Sequence, residues 1–240
     1  MEFKNIVAII YIKNGQAVKG RNDFTPSGDV FEAAKTYNDC GVDKILLFDL
    51  SDDEEEHRLN LKTVKKLNRD LEIKTCLAGN IKRFEDIKNA FYMGCRQVML
   101  NGSKLGSIAL AEKASRRYGK DRILVSVENV NFIFKNREAM EENFHEMLVM
   151  NKNMLDAIEN ITTIPYVVIM DEYNLEEFVS VLKREYARGI TGSFVTEDKT
   201  DIMMLKTELS NHGLRMVNFA PNLKWCDFKL NSEGMVPVIV

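Results

Sequence analysis

At 240 residues the chain has room for one large domain or two small ones. Apolar residues make up 45% and charged residues 29%, which provides a sizeable core and excludes a disordered chain. The formal net charge of −3 argues against nucleic acid as a partner, because affinity there comes mainly from neutralised phosphates.

The first apolar run, Ile6–Ile12, reads as a strand; it is too short for a secretory core and lacks a small-residue cleavage site. Further strands are predicted at Lys44–Asp49, Glu72–Leu77, Gln97–Asn101, Arg122–Glu128, Tyr166–Met170 and Gly192–Thr196. Most are apolar almost without interruption, the pattern of strands buried on both faces. Amphipathic stretches lie between them. Phe84, Ile87, Ala90 and Phe91 share one helical face, and Leu175, Phe178, Val179, Leu182 and Tyr186 another, with Asn174 and Glu177 set as a capping box. No stretch reaches the roughly 18 apolar residues that span a bilayer.

A phrase recurs: helix end, glycine, short link, strand. It appears around Gly41, Gly94 and Gly189, where glycine suits the left-handed position that ends a helix. Repeated βα units of this kind indicate an α/β protein, either a TIM-type (β/α)8 barrel or an open doubly wound sheet. The count is one short, since a βαβ unit takes about 30 residues or more. Glu128 to Pro165 leaves room for one long helix, predicted at 136–160, so the barrel is expected to be incomplete, with one βα unit missing or replaced.

Several phrases resemble, in order, the histidine-biosynthesis barrels, namely ProFAR isomerase and the cyclase subunit of imidazole glycerol phosphate synthase. Lys13-Asn14-Gly15-Gln16-Ala17-Val18-Lys19-Gly20 resembles the family's strand-1 exit, and Phe48-Asp49-Leu50 its second. Ala78-Gly79-Asn80-Ile81-Lys82 resembles the glycine-rich third loop and Asn101-Gly102-Ser103 the fourth. Ile161–Pro165 and Leu205–Gly213 match as well, so the resemblance covers roughly residues 1–220 with a gap at 129–160.

The resemblance implies two carboxylates at the ends of strands 1 and 5 acting as general acid and base. Here the strand-1 position is Tyr11, a phenol with an ordinary pKa of about 10 and a poor base at neutral pH. The strand-5 position is Glu128, one methylene longer than aspartate, and a displacement of about 1 Å can cost on the order of 100-fold in rate. Asp49 and Lys19 are further catalytic candidates, although Asp49 equally suits a helix N-cap and Lys19 a solvated loop. The resemblance also implies a phosphorylated sugar or ribotide as ligand. Gly79, Asn80, Asn101, Gly102 and Ser103 are the phosphate-binding candidates, with tight turns as the competing use of the glycines. Carboxylates in Met170-Asp171-Glu172-Tyr173 and after the last strand, in Thr196-Glu197-Asp198, would repel a phosphate, so the second phosphate site is expected to be lost.

The run Asp52–Glu56 suits either a cation or the N-terminus of the helix near Arg58–Arg69. His57, His145 and His212 read as surface or capping residues, and Met140–Met154 as a packing face. Three scattered histidines offer no ligand spacing, so neither a metal nor a cofactor is expected. The four cysteines lie far apart with no C-x-x-C pair, which fits a reduced, cytoplasmic setting. Residues 229–240 resemble the opening of phosphoribosyl-AMP cyclohydrolase. Residues 1–220 are thus read as the barrel and 221–240 as a linker with the truncated start of that second domain. The partners this implies are the downstream cyclohydrolase domain and a second copy of the chain in a homodimer, with neither nucleic acid nor membrane. The readings that follow are a non-catalytic accessory barrel and an active isomerase or cyclase using Glu128.

Overall fold

The computed structural model describes residues 2–170, 172–196 and 201–217, and the backbone of 228–231 and 234–237. The first strand, β1 (Asn5–Lys13), turns through Asn14 and Gly15 into an antiparallel ribbon, β2 (Gln16–Val18) and β3 (Pro26–Gly28). Helix α1 (Val30–Asp39) returns the chain to β4 (Lys44–Asp49), which pairs parallel with β1. Then follow α2 (Glu54–Asp70), β5 (Lys74–Gly79), α3 (Phe84–Tyr92), β6 (Gln97–Asn101), α4 (Ser107–Tyr118) and β7 (Ile123–Val127). The second half comprises α5 (Val130–Asn143), β8 (Glu146–Val149), α6 (Leu155–Glu159), β9 (Tyr166–Met170), α7 (Leu175–Leu182) and β10 (Ala187–Gly192), then α8 (Ser193–Thr196) and α9 (Ile202–Asn211). Strands β1 and β4 to β10 pair in sequence, and β10 pairs with β1 at Asn5↔Gly189 and Ile6↔Ile190. The result is a closed (β/α)8 barrel of eight parallel strands. Separately, β11 (Phe228–Asn231) and β12 (Gly234–Pro237) form an antiparallel hairpin.

Three expectations are corrected. No βα unit is missing: the predicted long helix at 136–160 is broken by β8, which pairs with β7 and β9. The unit fits because it is compressed, with a four-residue strand and a five-residue α6. The last strand is Ala187–Gly192 rather than Gly192–Thr196, and Ser193–Thr196 is helical. Gly41 and Gly94 do hold the left-handed turn conformation, with φ of 86° and 92°. Gly189 instead lies within β10, where an added Cβ would stand 2.5 Å from the Asn5 carbonyl oxygen. That glycine allows the closing strand to approach β1.

Strand alternation sorts side chains into two cores. The outward set packs under the helices, with Ile45 and Leu47 of β4 meeting Leu61, Val64 and Leu67 of α2. The inward set fills the lumen with Val7, Leu46, Cys76, Ala78, Met99, Leu124, Leu148 and Val167. At the N-terminal end of the lumen, Lys44 of β4 and Glu146 of β8, on opposite sides of the barrel, form a buried ion pair. The seam between β10 and β1 is reinforced by the buried Lys4, whose Nζ donates to the Ala187 carbonyl, and by Asn5 Nδ2 donating to Arg188 O at 3.1 Å. Lys206 of α9 ties to Asp43 at 2.6 Å and to Gly41 O at 2.7 Å. Lys4 N–H also donates to Arg215 O, and Val217 N–H to Lys4 O, so the last described segment of the barrel folds back onto its first.

Removing one partner of the axial pair leaves a buried charge uncompensated. Glu146→Leu is expected to lower unfolding free energy in urea by about 3–5 kcal/mol, and Lys44→Met with Glu146→Leu to recover most of that loss.

Candidate functional site

The C-terminal ends of the strands form the mouth. Counting alternately along β1 from Val7 and Ile9 brings Tyr11 inward, and its ring lies 5.5 Å from that of Phe48 on β4. Met150 after β8 and Ile169 of β9 complete an apolar layer that closes the lumen beneath the mouth. The same alternation on β7, from Leu124 through Ser126, turns Glu128 toward the mouth. Burial pushes the Tyr11 phenol up against the opposing pull of nearby Arg21, so at neutral pH Tyr11 is a hydrogen-bond donor and not a base.

Arg21 sits at the tip of the β2–β3 ribbon, in a turn closed by Gly20 N–H donating to Asp23 O. Its Nη1 donates to Glu128 Oε1 at 2.7 Å, with both side chains nearly half exposed. Because the ribbon grows from strand 1 of the barrel and Glu128 ends strand 5, the pair bridges the mouth. Solvent screening limits it to about 0–1 kcal/mol. Lys19 lies exposed on the same ribbon, its backbone amide donating to Thr25 O.

The rim groups expected to hold phosphate are engaged internally. Gly102 N–H donates to Ser126 O at 3.0 Å, and Ser103 N–H to Asn101 Oδ1 at 2.8 Å. Asn80 Nδ2 donates to Ser51 O at 2.9 Å. At the start of α3 a carboxylate of the chain itself, Asp86, accepts from Lys82 N and Arg83 N at 2.9 and 2.7 Å. Burial alone would push the Asp86 carboxyl up, and these amides with the Arg83 guanidinium hold it down instead. Gly79 has φ 75°, and an added Cβ would lie 2.1 Å from Asp49 O, so the glycine is required for strand approach. No side chain caps α4, which starts after Gly106.

Asp49 is not in the mouth. One residue beyond the inward Phe48, it points behind the sheet into the β4–α2 interface, where Asn60 Nδ2 donates to it at 2.7 Å and His57 Nδ1 bonds its other oxygen. Nor does it cap α2: Asp53 does, accepting from Glu55 N and Glu56 N at 2.9 Å, and Glu54–Glu56 form the acidic first turn. His57 is buried, contrary to the surface or capping role expected, and its Nε2 has no partner among the described residues. His145 and His212 are exposed, with His212 at the C-terminus of α9.

A family model described as "Histidine biosynthesis protein" matches residues 5–195. The chain belongs to this family. Among curated relatives, the imidazole glycerol phosphate synthase subunit HisF of Helicobacter hepaticus is 24% identical over 88% of this chain and 97% of its own length. The HisF of a Thermotoga strain is 21% identical over 89% of this chain and 97% of its own. That of Campylobacter lari is 28% identical over 52% of this chain and 50% of its own. Each relative is named as a subunit of a synthase.

Within the histidine-biosynthesis fold, the structure brings Tyr11 and Glu128 to one mouth and sends Asp49 away from it. In the C-terminal half, β10 ends at Gly192 and passes into α8, and does not exit into Thr196-Glu197-Asp198, which corrects the expected exit; Glu197 and Asp198 lie outside the described residues, as does Asp171. Met170 is buried at the end of β9, and the Tyr173 hydroxyl donates to Glu208 Oε2 at 3.1 Å. Arg21 is not marked by the sequence, because a lone loop arginine carries no spacing signal.

The hydrogen bond with Asp49 raises the His57 pKa, against burial. Burial would raise Asp49, but His57, Asn60 and Ser51 together hold it low. A raised imidazole contributes stability that is complete below its unfolded pKa of about 6.5 and is lost as pH rises through its folded value. The lowered Asp49 contributes above its unfolded pKa of about 3.9, and that contribution is lost as pH falls through the folded value. Denaturation midpoints of the wild type are therefore expected to fall with pH above about 6.5. In His57→Gln they are expected to be lower and flat over the same range; an unchanged slope would refute the assignment.

Proposed function

We propose that this histidine-biosynthesis barrel is catalytically impaired and serves as an accessory domain, structural or ligand-sensing, of a longer polypeptide with phosphoribosyl-AMP cyclohydrolase. The observation that carries this reading is the Arg21–Glu128 pair above a protonated Tyr11. The family's chemistry asks strand 1 for a carboxylate that exchanges a proton. Tyr11 offers a hydroxyl held protonated by burial, and Glu128, the remaining carboxylate, is already paired with a cation. The internally satisfied rim supports the same reading, since amides committed to Ser126, Asn101 and Asp86 must give up those acceptors before they hold phosphate.

The ligand this reading assigns is a phosphorylated sugar or ribotide, with a homodimer and the downstream domain as protein partners. Residues 221–240 belong to the linker and second domain in this proposal. A cytoplasmic setting accompanies it; Cys76 and Cys95 are free thiols, and no helix among the described residues is long and apolar enough to cross a membrane.

Purified chain is expected to give no isomerisation of ProFAR, and no imidazole glycerol phosphate from the isomerised ribulosyl product supplied with ammonia, while circular dichroism shows it folded. Turnover that disappears in Glu128→Gln would overturn the proposal and establish an isomerase or cyclase that works with a single family carboxylate.

A further inference from the structure

We infer that Arg21 is the anion anchor of the mouth and that Glu128 occupies it as an internal competitor, displaced when a phosphomonoester binds. The inference rests on the reading above that the mouth takes a phosphorylated ligand, and it assigns the residue that recognises the phosphate. Its basis is the juxtaposition of one loop-tip guanidinium, one carboxylate and an apolar floor.

Arg21 extends from the tip of the β2–β3 ribbon, and Glu128 is the acceptor it meets across the mouth, at 2.7 Å. Both side chains are nearly half exposed, at 48% and 43%, so the pair is held weakly and parts at little cost. A guanidinium presents a planar fork of donors that matches the oxygens of phosphate as well as those of a carboxylate. The floor beneath it, made by Tyr11, Phe48, Met150 and Ile169, is apolar and partly aromatic. Such a floor suits the flat face of a ring, and the protonated Tyr11 hydroxyl adds a donor at its edge. The ligand class is therefore a ring-bearing compound with one phosphate, such as a ribonucleoside monophosphate.

Competition gives the two members of the pair opposite effects, which a shared ligand-binding or catalytic role does not. Adenosine monophosphate is the probe, adenosine the phosphate-free control, and isothermal titration the readout. Arg21→Met is expected to weaken adenosine monophosphate binding about tenfold or more, the scale of a lost charge-assisted hydrogen bond. Glu128→Gln is expected to tighten it about two- to fivefold, the scale of a surface ion pair. Adenosine affinity is expected to be unchanged by either substitution. Equal affinity of wild type and Arg21→Met would overturn the anchor and leave a ligand-binding mouth standing. Weakened binding in Glu128→Gln would overturn the competition and make Glu128 a ligand contact. No binding of either probe to any of the three proteins would overturn both the anchor and the ligand-sensing reading.

Discussion

Closure of β10 onto β1 is the constraint on which the rest of the molecule depends. It rests on few contacts: a short parallel register at Asn5 and Ile6, a glycine at 189 that removes the one Cβ in the way, and a buried lysine at position 4. Once the sheet is closed, alternate residues of every strand face either an axis or a helix layer, with no third choice. The lumen is too narrow for anything but packed side chains, and Lys44 and Glu146, entering from opposite strands, meet across the axis. The same rule acts at the other end, where strands 1 and 5 face each other across the mouth. An arginine carried on the strand-1 ribbon therefore comes within reach of Glu128, 107 residues further along the chain.

The parity of each strand also decides which charged residues take part in the mouth. Tyr11 and Phe48 fall on inward positions and touch; Asp49, the next residue along β4, falls outward and is bound by Asn60 and His57. The Asp49–His57–Asn60 group thus serves to dock α2 against the sheet, beneath a helix whose N-terminus is capped by Asp53 and whose first turn is acidic. Its charge state couples helix docking to pH without involving the mouth.

Much of the fold was legible where local pattern and tertiary role agree. The limits of β4, β6 and β9 follow from apolar runs that are buried on both faces, and Gly41 and Gly94 mark turns because no other residue is comfortable there. Strand β8 was hidden because it is short and opens with Glu146, a residue that reads as surface until Lys44, far away in sequence, is seen to pair with it. Gly189 misled for a related reason. Its glycine serves a close approach to β1 rather than a turn, and only closure reveals that. At the mouth, Tyr11 and Glu128 were legible from their strand-end positions, and the outward parity of Asp49 follows from its alternation with Leu46 and Phe48. Arg21 was not legible, because its role is set by where the ribbon folds.

The internal acceptors at the rim are not equivalent, and their burial separates structure from site. Asp86 is buried, accepts from two amides and is held ionised by them, so displacing it would strand both a carboxylate and the start of α3. An acceptor so placed functions as a cap, and the loop after β5 is thereby closed to an outside anion. Glu128 is exposed, makes one ion pair, and on losing Arg21 returns to water with little penalty. Of these two carboxylates, Asp86 and Glu128, it is Glu128 that can give way cheaply. In the proposed reading, exchange with a ligand takes place above Tyr11, where a phenol stands at the position that the family resemblance gives to a carboxylate. A ligand that displaces Glu128 from Arg21 must bring its own negative charge.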